Sequence, residues 1–242
     1  MKLTSLTAIL ITIASTNVAN AAIVTNTFDN GTDLSSWETD RCAPDSFEVS
    51  NNELVLSVED DSACLDQGAF YHTQGMKLDI GQSTMLSIDM FVDGSWTDAL
   101  RFGGLWGVSY DSSDSIDGYP ILEFQVPDLT VASNGNFEAW DNSGWTSTAQ
   151  NVVNVNDWNT LMFSLSGTTT EYYINGNLVH SYDNGDTQYF GEVILNAFND
   201  GAGYSVRYDN LVYGTAEVNA PATIGLMMAA LGGIALRRRK KV

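Results

Sequence analysis

Between Phe47 and Tyr213 the chain alternates apolar and polar residues over short runs, each broken by Gly, Asn, Asp or Ser, and no long segment repeats at the helical period. That pattern predicts strands and turns. The clearest stretch runs from Asp157 to Tyr182: Leu161–Leu165 forms one strand, Ser166-Gly167-Thr168 turns, and Thr170–Ile174 forms the next. Asn175-Gly176 supplies the pair favoured in a type I′ turn, because both positions need positive φ, and Leu178–Tyr182 returns. Two strands follow, Glu192–Phe198 and Tyr204–Tyr213; upstream, Phe47–Val58, Thr84–Val92, Gly104–Tyr110 and Ile121–Val126 read as strands. A dozen or so short strands within residues 22–216 predict one all-β domain, a two-sheet antiparallel β-sandwich.

The two ends follow a different pattern. Lys2 precedes an uncharged run, Leu3 to Ser15, and Ala19-Asn20-Ala21 places small residues where a signal peptidase reads them, so residues 1–21 are expected to be a cleaved signal peptide. A buried N-terminal helix is the alternative. At the other end Ile224–Leu236 is uncharged and Arg237-Arg238-Arg239-Lys240-Lys241 holds half of the ten basic residues, a block that resists crossing a membrane. Thirteen helical residues reach only about 20 Å, short of a comfortable span. Residues 217–242 are therefore expected to act as a transient inner-membrane anchor and to form a hydrophobic helix. The layout resembles the PEP-CTERM sorting signal, with Pro221, Ala222 and Thr223 standing where that family has Pro-Glu-Pro. The resemblance implies cleavage by an exosortase-like membrane protease and a final place on the cell envelope surface or outside the cell.

Export changes the reading of the two cysteines. Cys42 and Cys64 fall in the mature region, where an oxidising compartment permits a disulfide, with free thiols as the alternative. Closing a loop of about 20 residues contributes roughly 3 kcal/mol in the chain-entropy description. Two Cys with the scattered His72 and His180 lack the spacing of a zinc site. Charge narrows the partners further. Residues 22–216 hold all 30 acidic residues except Glu217 but only Arg41, Lys77, Arg101 and Arg207 as cations, a net charge of −25. Nucleic acid and anionic membranes are excluded, since both are bound through Lys and Arg. Neutral glycans and divalent cations remain, and solubility alone would also account for much of the charge.

Four segments carry a second resemblance. Phe28-Asp29-Asn30-Gly31 with Leu34 and Trp37 opens the domain; Trp158-Asn159-Thr160-Leu161, Tyr172-Tyr173-Ile174-Asn175-Gly176 and Tyr208-Asp209-Asn210-Leu211-Val212 close it. Together, over residues 28–213, they resemble the concanavalin A-like lectin/glucanase (laminin-G-like) jelly roll. The hydrolases of that group carry Glu-x-Asp-x-x-Glu on a strand, which places carboxylates on one face; no such motif occurs here. Glu38-Thr39-Asp40 comes nearest, but Arg41-Cys42-Ala43 follows it, and its place beside the cysteine suggests a loop. No Gly-x-Ser-x-Gly nucleophile motif occurs, nor an Arg, His, Tyr and Gln cluster like that of the lyases sharing this fold. The expectation is a protein that is not an enzyme.

Binding chemistry is easier to find. Trp140-Asp141-Asn142-Ser143-Gly144-Trp145 places two indoles around a polar turn, and aromatic faces pack on sugar C–H surfaces while polar groups fix hydroxyls. Trp140, Asp141, Asn142 and Trp145 are thus the glycan-binding candidates, with a packed corner as the alternative. Phe102, Trp106, Val108 and Tyr110 share a face of one predicted strand and are assigned to the core before a binding surface, as are Trp37, Trp96 and Trp158. The resemblance also implies calcium shared between the first strand region and the last, which here selects Asp29 and Asp209; simple turn and strand-end roles are the alternative. The sequence thus suggests a sorted cell-surface or extracellular-matrix protein whose lectin-like domain binds exopolysaccharide or another neutral glycan. Alternatives are a structural matrix component and a glycan hydrolase or lyase.

Overall fold

The computed structural model describes residues 22–60, 64, 72–98, 101–125, 135–148 and 152–215. The strands, in chain order, are β1 (Ile23–Asn26), β2 (Glu38–Arg41), β3 (Ser46–Ser50), β4 (Glu53–Val58), β5 (Thr73–Ser83), β6 (Met85–Val92), β7 (Gly103–Tyr110) and β8 (Ile116–Gly118). They continue as β9 (Ile121–Gln125), β10 (Asn136–Asp141), β11 (Gly144–Ser147), β12 (Asp157–Ser166), β13 (Thr169–Ile174), β14 (Asn177–Asp183), β15 (Tyr189–Phe198) and β16 (Tyr204–Gly214). Two antiparallel sheets form. One runs β14-β13-β12-β6-β16-β4-β3 with β1 on β16; the other runs β11-β10-β9-β7-β15-β5-β2 with β8 on β7. The expected sandwich is the observed one.

Alternation builds the shared core. Leu54, Leu56 and Val58 of β4, Leu86, Ile88, Met90 and Val92 of β6, and Tyr172 and Ile174 of β13 all point inward and are buried. They meet Leu105, Leu122, Phe124, Phe137, Ala139, Val193, Leu195 and Ala197 from the second sheet. The run expected as one strand from Phe47 to Val58 is a hairpin. Asn51 and Asn52 turn it with φ of 55° and 62°, values Asn adopts more readily than most residues. Asn175-Gly176 turns as its sequence predicts, with φ of 51° and 76°.

Hydroxyls bind the sheets together through this core. Tyr172 donates to the Trp140 carbonyl at 2.9 Å. Tyr208 donates to the Asn196 carbonyl at 2.8 Å and accepts the Gly104 N–H at 3.2 Å. Tyr204 accepts the Phe198 N–H at 2.8 Å and donates to the Phe102 carbonyl at 2.7 Å. All three tyrosines belong to the first sheet and all their partners to the second sheet or its margins. A buried hydroxyl needs such partners, and here they fix the backbone of the strands that form the cleft described next.

Three sequence expectations change. Trp37 and Trp96 are core residues, but Trp158 lies on the outer face of the first sheet, edge-on to Phe91 with 5.6 Å between ring centres. It alternates with the buried Asn159, so it must point away from the core. Trp106 and Val108 are buried, yet they form a separate cluster with Ile121 and Ile194 on the far side of the second sheet. Glu38-Thr39-Asp40 is no loop: it forms edge strand β2, paired to β5.

Candidate functional site

The register of the second sheet places specific side chains in rows across its outer face. Trp145, Trp140, Ile121, Trp106, Ile194, Lys77 and Glu38 follow one another from β11 to β2. The adjacent row is Ser147, Glu138, Glu123, Gly104, Asn196, Gly75 and Asp40. This explains why β7 is buried along nearly its whole length: one face meets the core and the other meets this second cluster. Above the first row lies a cleft of about 460 Å³ lined by Asp40, Arg41, Trp106, Tyr119, Ile121, Trp140, Trp145 and Ile194.

The cleft is aromatic with one ion pair. Trp140 and Trp145 are cross-strand partners in edge-to-face contact, 5.4 Å between centroids, and Trp145 remains 43% exposed. The Arg41 guanidinium sits 4.3 Å from the centre of the Trp106 ring and 2.8 Å from the Asp40 carboxylate. Burial pushes the Arg41 pKa down and the Asp40 pKa up. Arg41 reaches this place because it ends β2 at φ 54° and is followed at once by Cys42, which is bonded to Cys64. Gln74 supports the same corner by donating to the Ala43 carbonyl at 2.9 Å.

Glu123 is the chemically unusual group. Two residues beyond Ile121 on β9, it shares the outer face but is only 6% exposed. Burial raises its pKa to about 7; the Gln125 hydrogen bond at 3.3 Å and the charge of Arg41 oppose the rise, and Glu138 adds to it. Glu138 is its direct cross-strand partner, and Ser147 donates to it at 3.2 Å. A carboxyl that titrates near neutrality beside a carboxylate and a guanidinium can exchange a proton with a bound molecule.

Of the sequence-derived glycan candidates, Trp140 and Trp145 line the cleft and Asp141 and Asn142 do not. Asp141 accepts from the Ser143 amide at 2.6 Å and pairs with His180 Nε2 at 2.7 Å. Burial raises its pKa, but the bonds from Ser143 and His180 outweigh that and hold it below the ordinary value. Asn142 donates to the Asp117 carbonyl at 2.7 Å and to Asn184 Oδ1 at 2.8 Å. Cys42 and Cys64 form the expected bridge, with Cα atoms 6.6 Å apart. Sequence reasoning missed Arg41, Glu123 and Glu138. Ile121-Leu122-Glu123-Phe124-Gln125 has the alternation of an ordinary half-exposed strand, and nothing local reveals that its polar face is covered.

Asp29 and Asp209 lie where β1 and β16 meet the rest of the first sheet. Asp29 accepts the Thr27 hydroxyl at 2.9 Å, and Asp209 accepts the Asn210 amide at 2.7 Å. Burial raises the Asp209 pKa, and the charges of Asp89, Glu53 and Asp29 raise it further. Crowded carboxylates suit a hard cation such as calcium. Among the described residues, however, no three His, Cys, Asp or Glu side chains converge as metal ligands. No helix of the described residues is long and apolar enough to cross a membrane. Pro221, Ala222 and Thr223, with both terminal signals, lie outside the described residues.

Residues 24–212 match the family described as the 3-keto-alpha-glucoside-1,2-lyase-like domain. No curated protein matches the chain. Solved structures share the fold at low identity. A β-glucanase from Bacillus licheniformis is 13% identical, with 80% of this chain and 98% of that chain covered at a TM-score of 0.54. A non-specific endo-β-1,3(4)-glucanase of family GH16 is 14% identical, with coverage of 81% and 95% and a TM-score of 0.56. LamAcat from Zobellia galactanivorans is 9% identical, with coverage of 81% and 98% and a TM-score of 0.53. The family match overturns the expectation of a protein without enzymatic activity. That expectation rested on the absence of Glu-x-Asp-x-x-Glu, of Gly-x-Ser-x-Gly and of a lyase-like Arg, His, Tyr and Gln cluster, and each absence excludes only the chemistry that depends on it.

Proposed function

Because this chain belongs to the 3-keto-alpha-glucoside-1,2-lyase-like domain family, we propose that it cleaves the glycosidic bond of a glucoside oxidised to a ketone at C3. The sugar lies against Trp106, Trp140 and Trp145. A C3 ketone acidifies the C2–H bond. A carboxylate takes that proton, the C–H electron pair moves toward the ketone, and the enolate then expels the C1 oxygen. The leaving alcohol takes up a proton, and the product is an unsaturated ketone. Glu123 is the acid–base group, since a carboxyl with a pKa of about 7 both accepts and returns a proton near neutrality. Arg41 provides the positive charge that faces the enolate.

The observation that carries this reading is Glu123, buried two residues beyond the cleft-lining Ile121 on the same face of β9 and within the field of Arg41. The glucanase activity named for the similar structures supports a glycan substrate. The test is release of alcohol from a 3-keto-α-glucoside, followed by the ultraviolet absorbance of the unsaturated product. Glu123→Gln should slow it by roughly 10²- to 10⁴-fold, the usual contribution of acid–base catalysis. Equal rates for wild type and E123Q would end the assignment.

We also infer export and sorting, from the pattern of the two ends. Residues 1–21 direct export, and residues 217–242 anchor the chain until an exosortase-like protease acts near Pro221, Ala222 and Thr223. An enzyme placed in this way meets extracellular glycans.

A further inference from the structure

The outer face of the first sheet carries a row that its position does not explain. Trp158 of β12, Phe91 of β6, Arg207 of β16 and Val55 of β4 are direct cross-strand neighbours, and the row ends at Glu48 of β3. Each of the first four is half-buried and alternates with fully buried residues, so all four point away from the core. The solvated face of an antiparallel sheet is ordinarily polar, yet this one presents two aromatic rings and a valine. The Arg207 guanidinium lies 3.7 Å from the centre of the Phe91 ring.

Beside the row opens a groove of about 370 Å³, a volume suited to a small ligand, with Val55, Phe91, Asp93, Ser95, Ser205 and Arg207 in its walls. Its polar groups are open to a guest. Arg207 keeps 35% of its side chain exposed; Nη1 reaches Glu53 at 3.1 Å, while Nε and Nη2 bond to no described residue. Asp93 accepts the Ser95 amide and hydroxyl on Oδ1 alone, at 2.8 and 2.7 Å, which leaves Oδ2 as an acceptor. Those two bonds hold its carboxyl below the ordinary value. Ser205 is exposed and shares a 2.7 Å hydrogen bond with Ser57.

Charge selects the occupant. Glu53 and Asp93 offset Arg207, so the groove has no excess positive charge to hold an anionic polymer. A second copy of the chain would bring like charge against like, because Asp89, Asp209 and Glu53 stand on the same face two residues along their strands and Glu48 closes the row. Uncharged hydroxyls fit: a donor, an acceptor and a serine hydroxyl surround a flat apolar wall, the combination that suits a sugar ring. We propose that this groove is a second glycan site, which holds a neutral polysaccharide on the face opposite the cleft. It stands independently of the lyase reading.

Affinity electrophoresis of the purified protein through gels containing dextran, starch, mixed-linkage β-glucan or galactomannan tests it, with polygalacturonate as the anionic contrast. At least one neutral glycan should retard wild type, and polygalacturonate should not. Ser205→Tyr, which fills the groove, and Arg207→Gln should each weaken that retardation by about tenfold or more, as truncating an anchoring contact does. Arg207→Gln should melt close to wild type, because an exposed ion pair contributes little, and it decides the matter alone if Ser205→Tyr proves unstable. Cleavage of a small soluble 3-keto-glucoside should be the same in wild type and both variants, so its absence from wild type would count against the cleft reading only. Retardation lost in Trp145→Ala but kept in Arg207→Gln would assign binding to the cleft and overturn the proposal. No retardation of wild type by any of the four neutral glycans, or retardation by polygalacturonate alone, would overturn it equally.

Discussion

Glu123 links stability to pH with a definite sign. Its carboxyl titrates near 7 in the folded protein, against an ordinary value of 4.5, because burial disfavours the charge. Below the ordinary value both folded and unfolded chains hold the proton, and the contribution is fully present. As pH rises toward about 7 the unfolded chain releases the proton while the folded chain keeps it, so stability falls. A shift of that size corresponds to something on the order of 3 kcal/mol. Urea denaturation across pH 4 to 8 should show this decline in wild type and its loss in Glu123→Gln, with the variant the more stable at pH 8. Parallel curves for the two proteins would show that Glu123 is not held in its neutral form. The same substitution should remove activity, so the site keeps a group that the fold alone would do better without.

At the level of elements, β16 is the central structural member. It pairs with β6, β4 and β1 and sends Tyr204 and Tyr208 through the core to the cleft strands. Tyr208→Phe should lower the urea midpoint by the equivalent of about 1–3 kcal/mol, because the Gly104 and Asn196 main-chain groups lose a buried partner. Where β16 adjoins the Asp29 turn, calcium is proposed to relieve the repulsion among Asp29, Asp89 and Asp209. Free calcium at about 100 times its Kd would add about 2.7 kcal/mol. The melting temperature should then rise with calcium over chelator in wild type but not in Asp209→Ala; identical melting of wild type in both would remove the metal.

Strands of the first sheet were legible because one face is wet, which leaves the alternation intact, as in Glu53–Val58 and Thr169–Ile174. The cleft strands were harder to read. β7 is buried on both faces, so its sequence does not distinguish core from site. Trp140 and Trp145 stood out around a polar turn. Arg41 did not, since four residues of edge strand ending in a left-handed residue look like loop. Glu123 acquires its character only from what the sheet places beside it.

For the whole molecule, charge and placement act together. All four basic residues of the 22–216 domain are paired with acids: Arg41 with Asp40, Lys77 with Glu192, Arg101 with Asp200 and Arg207 with Glu53. Two of the four stand on the cleft-bearing face. If the proposed export and sorting hold, intact-mass measurement on protein from the native envelope should find a species lacking residues 1–21 and the segment from Leu226 to Val242. A species still ending at Val242 would remove the sorting proposal.

The tyrosines of β16 also set an order of assembly. Every described residue that lines the cleft precedes Tyr204 in the chain, while two of the tyrosines that bond to the main chain of the cleft strands come after Ile194 and Asn196. A nascent chain stalled at residue 200 would carry the complete set of cleft side chains without the strand that secures their backbone. A chain ending before β16, which pairs between β6 and β4, is therefore expected to hold these side chains without a formed cleft.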